Sequence, residues 1–145
     1  MTIDSVLEVK LLNYPEKELP DYIQFGNVPF FEINHATQLT SLRGCPKQCD
    51  VFKVRYCTSL ETLEHSPKEC VDFSCECCKK LKSLEGCPEV KKSFCCSGCD
   101  SLTNLKGMKV DSKTSLRLFE ISCNRCEGLK SLDGCPDELL TLSCN

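Results

Sequence analysis

Tryptophan is absent from this 145-residue chain, histidine and methionine occur twice each, and positive charge is not in excess. Eighteen Lys and Arg stand against 21 Asp and Glu, for a formal net charge of −3. Without clustered Lys and Arg there is no electrostatic footprint for nucleic acid or for an anionic membrane. Lys79, Lys80 and Lys82 form a short basic run that reads as a solvated face. No stretch approaches the roughly 20 apolar residues that cross a bilayer. The first twelve residues carry Asp4 and Glu8 and lack the basic start and unbroken apolar run of a signal peptide, so an intracellular, cytoplasmic location is expected. Catalytic signatures are missing too: there is no G-x-S-x-G, no phosphate-cradling glycine loop and no H-E-x-x-H. The two histidines, His35 and His65, read as lying on a strand's outer face and in a turn. The chain is not expected to be an enzyme, and no cofactor is expected.

Cysteine, by contrast, is abundant. Fifteen residues are cysteine, a density that in a short secreted sequence means a disulfide framework. Here the export signal is missing and the count is odd, so the reading is of reduced, metal-free thiols.

The dominant feature is a repeat. Leu81, Leu84, Gly86, Cys87, Pro88, Phe94, Cys96 and Cys99 recur 21 positions earlier as Leu60, Leu63, Pro67, Phe73, Cys75 and Cys78. A further 21 earlier stand Leu39, Leu42, Gly44, Cys45, Pro46, Phe52, Val54 and Cys57. Leu102, Leu105 and Gly107 continue the register, and the next copy arrives six residues late with Ile121, Cys123, Cys126, Leu129, Leu132, Gly134, Cys135 and Pro136. A fixed period of this length signals a solenoid. Aligned, each unit reads L-x-x-L-x-L-x-x-C-x-x-L-x-x-L-x-G-C-P, which resembles the leucine-rich repeat in its cysteine-bearing form. It is also similar to repeat proteins of large DNA viruses of amoebae. The resemblance covers Val28 to Asn145 well and implies an α/β-type repeat solenoid: a short leucine-rich-repeat stack with one parallel sheet, mostly strand and irregular or helical-turn arcs.

The physical logic runs beside the family name. Residues at the first, fourth and sixth positions of the unit alternate with solvent positions and point inward. A single coil cannot bury them, but stacked coils share one column. Strands are predicted near residues 28–33, 49–54, 70–75, 91–96, 118–123 and 139–144, with a weaker one through Val6, Val9 and Leu11. Gly44, Gly86, Gly107 and Gly134 mark a turn that suits φ > 0. His65 replaces one of them, so a strict left-handed turn is not expected there. Residues 1–27 read as an N-terminal cap and 28–145 as the coils, with an insertion at about 108–117 that should bulge from the surface.

The cysteines admit two readings. Cys75, Cys78, Cys96 and Cys99 form C-x-x-C twice with 17 residues between, the spacing of a structural zinc site, and this gives the alternative of a zinc-stabilised module. The same residues occupy inward positions where other coils carry Ile33, Val54 and Ala36, so buried thiols explain them as small apolar groups. Cys77 and Cys95 fall at outward positions about 10 Å apart along the strand direction, too far to pair, and are candidate reactive or interface thiols.

The resemblance implies a non-catalytic interaction or structural protein, as a homo-oligomer or as a small subunit of a larger assembly such as a virion. The candidate interaction surface is Lys53, Arg55, Tyr56, Glu76, Cys77, Cys95, Phe119, Arg125 and Leu142, a mixture that suits a protein partner. The last coil, with Leu139, Leu142 and Cys144, is expected to present a strand edge that another chain covers.

Overall fold

The computed structural model describes residues 2–3, 6–21, 23–111, 113, 119–137, 139 and 141–145. Among these residues ten short strands form: β1 (Thr2–Ile3), β2 (Glu8–Leu12), β3 (Gln24–Phe25), β4 (Phe30–Asn34), β5 (Val51–Arg55), β6 (Glu69–Ser74), β7 (Glu89–Cys95), β8 (Lys109–Val110), β9 (Glu120–Ser122) and β10 (Thr141–Ser143). Among the described residues there is no helix, so the returning arcs are irregular throughout. The sheet runs β10-β9-β7-β6-β5-β4-β2, and every pairing in it is parallel. The result is a parallel-sheet solenoid of about six turns.

Register follows the repeat. Phe31 lies opposite Phe52, Phe52 opposite Phe73, Phe73 opposite Phe94 and Phe94 opposite Ile121. The four Phe rings make one column, with centroid separations of 6.1, 5.9 and 5.2 Å. Behind it Leu39, Leu60, Leu81 and Leu102 line the arc side, with Leu42, Leu63, Leu84 and Leu105 beside them, all fully buried. Burying one such side chain stabilises by about 1.5–3 kcal/mol, so the column and the leucine rows dominate the favourable side of folding.

From residue 36 onward each arc is built from two tight turns. The first is closed by Leu39, Leu60, Leu81, Leu102 and Leu129, whose N–H groups donate to the carbonyl three residues back at 3.0–3.1 Å. The second is closed in the same way by Cys45, Ser66, Cys87, Met108 and Cys135. Its third residue has φ > 0 in each of these coils, as a type II turn requires. Gly44, Gly86, Gly107 and Gly134 supply it with φ of 85–96°, and His65 adopts 69°. The left-handed turn is thus kept where glycine is absent, which corrects the expectation at His65: the hydrogen-bonded turn imposes the conformation. At Gly86 a second constraint adds to φ, since a Cβ there would lie 2.7 Å from the Glu64 backbone nitrogen.

Two departures come from irregular pairing. The register slips between Cys70 and Asp72, so β7 carries an extra residue and Val90, in place of the expected Lys91, is fully buried. Phe119, expected outward, is also fully buried, and this corrects its place on the surface. It stands just before β9, next to the insertion, where a strict 21-residue template no longer assigns inward positions. Part of that insertion forms β8 and pairs with the start of β7. Ser112 and residues 114–118, including Leu118 of the expected strand, lie outside the described residues. At the other end β2 joins the sheet in full register with β4, while β1 and β3 form a separate parallel pair.

Candidate interaction surface

The strands' outward positions form columns of their own. One runs Lys10, Glu32, Lys53, Ser74, Cys95, Ser122, Ser143, and the next Leu12, Asn34, Arg55, followed by Glu76, Ser97 and Asn124. Long charged side chains occupy the half nearer β2, and small hydroxyl, thiol and amide groups the half nearer β10.

On the charged half the side chains hold one another in place. Arg55 spans two coils, with Nε 3.1 Å from Glu76 Oε1 and Nη1 3.4 Å from Glu32 Oε1. Ser74 Oγ donates to Glu76 at 2.7 Å, and Asn34 Nδ2 donates to Glu32 at 3.2 Å. The Glu32 side chain is only 9% exposed, so the guanidinium compensates a carboxylate largely removed from water. Partial burial disfavours the charge on Arg55, but Glu76 and Glu32 together hold its pKa above the ordinary value. Beside this clamp, Lys10 and Lys53 approach the Phe30 ring at 5.4 and 5.3 Å, and the His35 ring stacks on Tyr56 at 4.5 Å.

That stack sits on a feature the sequence does not announce. Asn13, His35, Tyr56, Cys77, Gly98 and Arg125 occupy equivalent places just beyond the strands, all with φ between 53° and 72°. A left-handed residue at this place after six of the strands turns the chain sharply at the rim of the sheet. A Cβ at Gly98 would lie 2.8 Å from Cys77 Sγ, so a larger residue there would displace that side chain.

The sequence-derived residues therefore separate into groups. Arg55 and Glu76 share an ion pair, Lys53 joins the Phe30 cluster, and Tyr56 carries the stack and is 42% exposed. Cys77 and Cys95 are half-buried, the first against Gly98 and the second with its Sγ 3.5 Å from Ser97 Oγ. Arg125 and Leu142 are exposed on the last two coils, away from the clamp. Lys10, Glu32, Asn34 and Ser74 were not singled out by sequence, although the outward columns that contain them follow from the same register.

The zinc candidates lie in the interior. Cys75 and Cys96 are neighbours in the column that begins Ile33, Val54, and Cys78 and Cys99 are neighbours in the column that begins Ala36, Cys57; all four are fully buried. Three ninth-position thiols donate to a backbone carbonyl one coil earlier, Cys78 to Val54 at 3.5 Å, Cys99 to Cys75 at 2.8 Å and Cys126 to Cys96 at 3.0 Å, while Cys57 donates to the Arg55 carbonyl of its own coil at 3.5 Å. These thiols satisfy carbonyls where the strand turns away. Burial pushes the Cys57 thiol up to about 11 and that of Cys78 well above its usual range, which keeps them protonated. Among the described residues no group of three or more His, Cys, Asp or Glu is placed to hold a metal ion. One pair departs from the expectation that every thiol is free: Cys123 and Cys144 are joined in a disulfide, while the other thirteen cysteines are unbridged. In-register neighbours put the two Cα atoms 4.9 Å apart, inside the range a disulfide requires.

Fold and surface together define a parallel-sheet repeat protein with a preordered polar face. Comparison with known proteins finds no matching family model, no matching curated protein and no matching solved structure. No helix among the described residues is long and apolar enough to cross a membrane.

Proposed function

We propose that this chain is a non-catalytic, protein-binding structural subunit that meets its partner through the outward face of β2, β4, β5 and β6. The observation that carries the reading is the Glu32–Arg55–Glu76 clamp beside the partly exposed Tyr56. Arginine and tyrosine are the side chains most enriched where protein interfaces gain their affinity, and ordering them in advance reduces the entropy lost on binding. The mixture of signs on this face suits another protein better than a polyanion. The leucine-rich-repeat resemblance supports the same class of function, and the similarity to repeat proteins of large amoeba viruses supports an intracellular assembly such as a virus particle. Hydrogen exchange on the isolated protein and on the assembled state tests it: protection gained on assembly should concentrate in residues 30–35, 51–56 and 72–77, and protection confined to the arcs would contradict it.

A specific observation favours self-association as a second contact. Apart from Tyr56, the exposed large apolar side chains among the described residues are Val6, Leu7, Leu12, Leu132 and Leu142, which lie in the first and last coils. Pairing β10 of one copy with β2 of another would continue the inward columns from Leu142 to Val9. Sedimentation tests this form, with Leu142→Glu expected to abolish the association.

A further inference from the structure

The regular stack opens at one place on the arc side. A Cβ at Gly86 or Gly107 would lie 2.7 or 2.5 Å from a backbone nitrogen of the preceding coil, so successive second turns are in contact there. At Gly44 the preceding chain is the N-terminal segment, and its nearest backbone atom, the Pro20 carbonyl oxygen, would stand 3.9 Å away. That segment is tied to the following coil at two points. The Thr40 N–H donates to the Lys17 carbonyl at 2.9 Å, and Asn27 bridges to Gln48. A cleft of about 850 Å³ is lined by Leu19, Ile23 and Phe25 from between these ties and by the second turns around Gly44 and His65. Its size is that of a small-molecule site. A smaller cleft of about 310 Å³ shares Phe25, Gly26, Lys47 and Lys68 with it.

Cations that the sequence scatters meet on the turn side of this cleft, where Arg43, Lys47, His65 and Lys68 all line it. Lys47 and Lys68 are neighbours in one row, since the Lys68 N–H donates to the Lys47 carbonyl at 3.2 Å. Both also line the smaller cleft, where the other polar side chains are the amides of Asn27 and Gln48 and no carboxylate is present. Like charges held at neighbouring positions repel. None of the ion pairs among the described residues takes in Arg43, Lys47 or Lys68. The carboxylates of the larger cleft, Glu18 and Asp21, come from the N-terminal segment and are likewise outside those pairs.

We propose that this cleft binds a small phosphate monoester with a hydroxylated body, of the sugar phosphate class. The phosphate lies between Lys47 and Lys68, where the two clefts join, and hydroxyl groups of the body donate to Glu18 and Asp21 in the larger one. A phosphate monoester carries about −1.5 to −2 charges at neutral pH and so matches two ammonium groups, whereas a carboxylate offsets only one. The Asn27 and Gln48 amides supply uncharged donors beside it, and the buried Phe25 and Pro46 give the body an apolar floor. The site is separate from the outward face of the sheet and does not depend on that face binding a protein.

The test is a nuclear magnetic resonance titration of the whole isotope-labelled chain with glucose 6-phosphate, inorganic phosphate and glucose in turn. With the sugar phosphate, amide shifts should saturate at Gly26, Asn27, Lys47, Gln48 and Lys68 and extend to Glu18 and Asp21. Inorganic phosphate should move the first group alone and bind more weakly, and glucose should move neither. Lys47→Gln and Lys68→Gln, checked for folding by circular dichroism, should each weaken binding roughly tenfold, the scale of one lost charge-assisted hydrogen bond. Lys82→Gln makes the same charge change on an exposed arc and should leave binding unchanged. On the unmutated chain, shifts that fail to saturate in the millimolar range, or inorganic phosphate binding as tightly as the sugar phosphate, would overturn the proposal. Equal weakening by Lys82→Gln and by the cleft variants would overturn it too.

Discussion

The ring of Phe52 lies over that of Phe73 at a centroid separation of 5.9 Å and an interplanar angle of 18°. These two residues, 21 apart in sequence, are register partners on neighbouring strands, and their contact is the period of the chain written into its core. Phe31 and Phe94 extend the column on either side.

Phe73→Ala should therefore remove the middle of a continuous column. The cavity would border Phe52 and Phe94 together, and the loss should be about 3–5 kcal/mol, as for other buried aromatic truncations. Urea unfolding checks it, with a midpoint shift at constant slope as the expected form.

Much of this was legible because the repeat is strict where the core is strict. Inward positions recur at fixed spacing, so Phe31, Phe52, Phe73, Phe94 and the leucine rows could be read directly. The bulge before Ser93 and the insertion before Phe119 break that spacing, and there the template misplaces Lys91 and Phe119. The left-handed rim residues His35, Tyr56 and Cys77 carry no glycine signal, so only the backbone reveals them. The clamp was half legible: Arg55 and Glu76 stand out as charges in one column, but Glu32 becomes a partner only when the neighbouring outward column is laid beside it. Register places Cys123 opposite Cys144, yet it places Cys75 opposite Cys96 in the same way and cannot tell the bridged pair from the free one.

The turn glycines should respond unequally to substitution. Gly86→Ala meets both a left-handed φ of 85° and the Glu64 backbone at 2.7 Å, so the change should be strongly destabilising. His65→Gly relieves a non-glycine residue at φ 69° and should raise stability by up to about 1–2 kcal/mol, offset in part by the greater freedom of glycine in the unfolded chain. Thermal melting of the two variants should move in opposite directions.

Cys75→Val should be mild, costing less than about 1.5 kcal/mol, because Val54 fills the same column one coil earlier. Prolonged treatment with a chelator should leave the melting curve unchanged. If the C-x-x-C pairs held zinc, both treatments would instead unfold the protein.

Arg55→Met keeps much of the aliphatic length but removes the cation that faces Glu32. A largely buried carboxylate then loses its charged partner, and the expected loss is about 1–3 kcal/mol. Combining Arg55→Met with Glu32→Gln should recover part of it, and a double-mutant cycle in urea measures the coupling.

Site-specific photocrosslinking tests the proposed function most directly. A photoreactive phenylalanine analogue placed at Tyr56, on the rim beside the clamp, is compared with the same group at Lys82, an exposed arc residue. In the cells that make the protein, position 56 should give a discrete cross-linked protein species that Arg55→Met weakens, and position 82 should give none. Equal cross-linking from both positions, or none from position 56 while position 82 reacts, would contradict a binding surface on the outward face of the sheet.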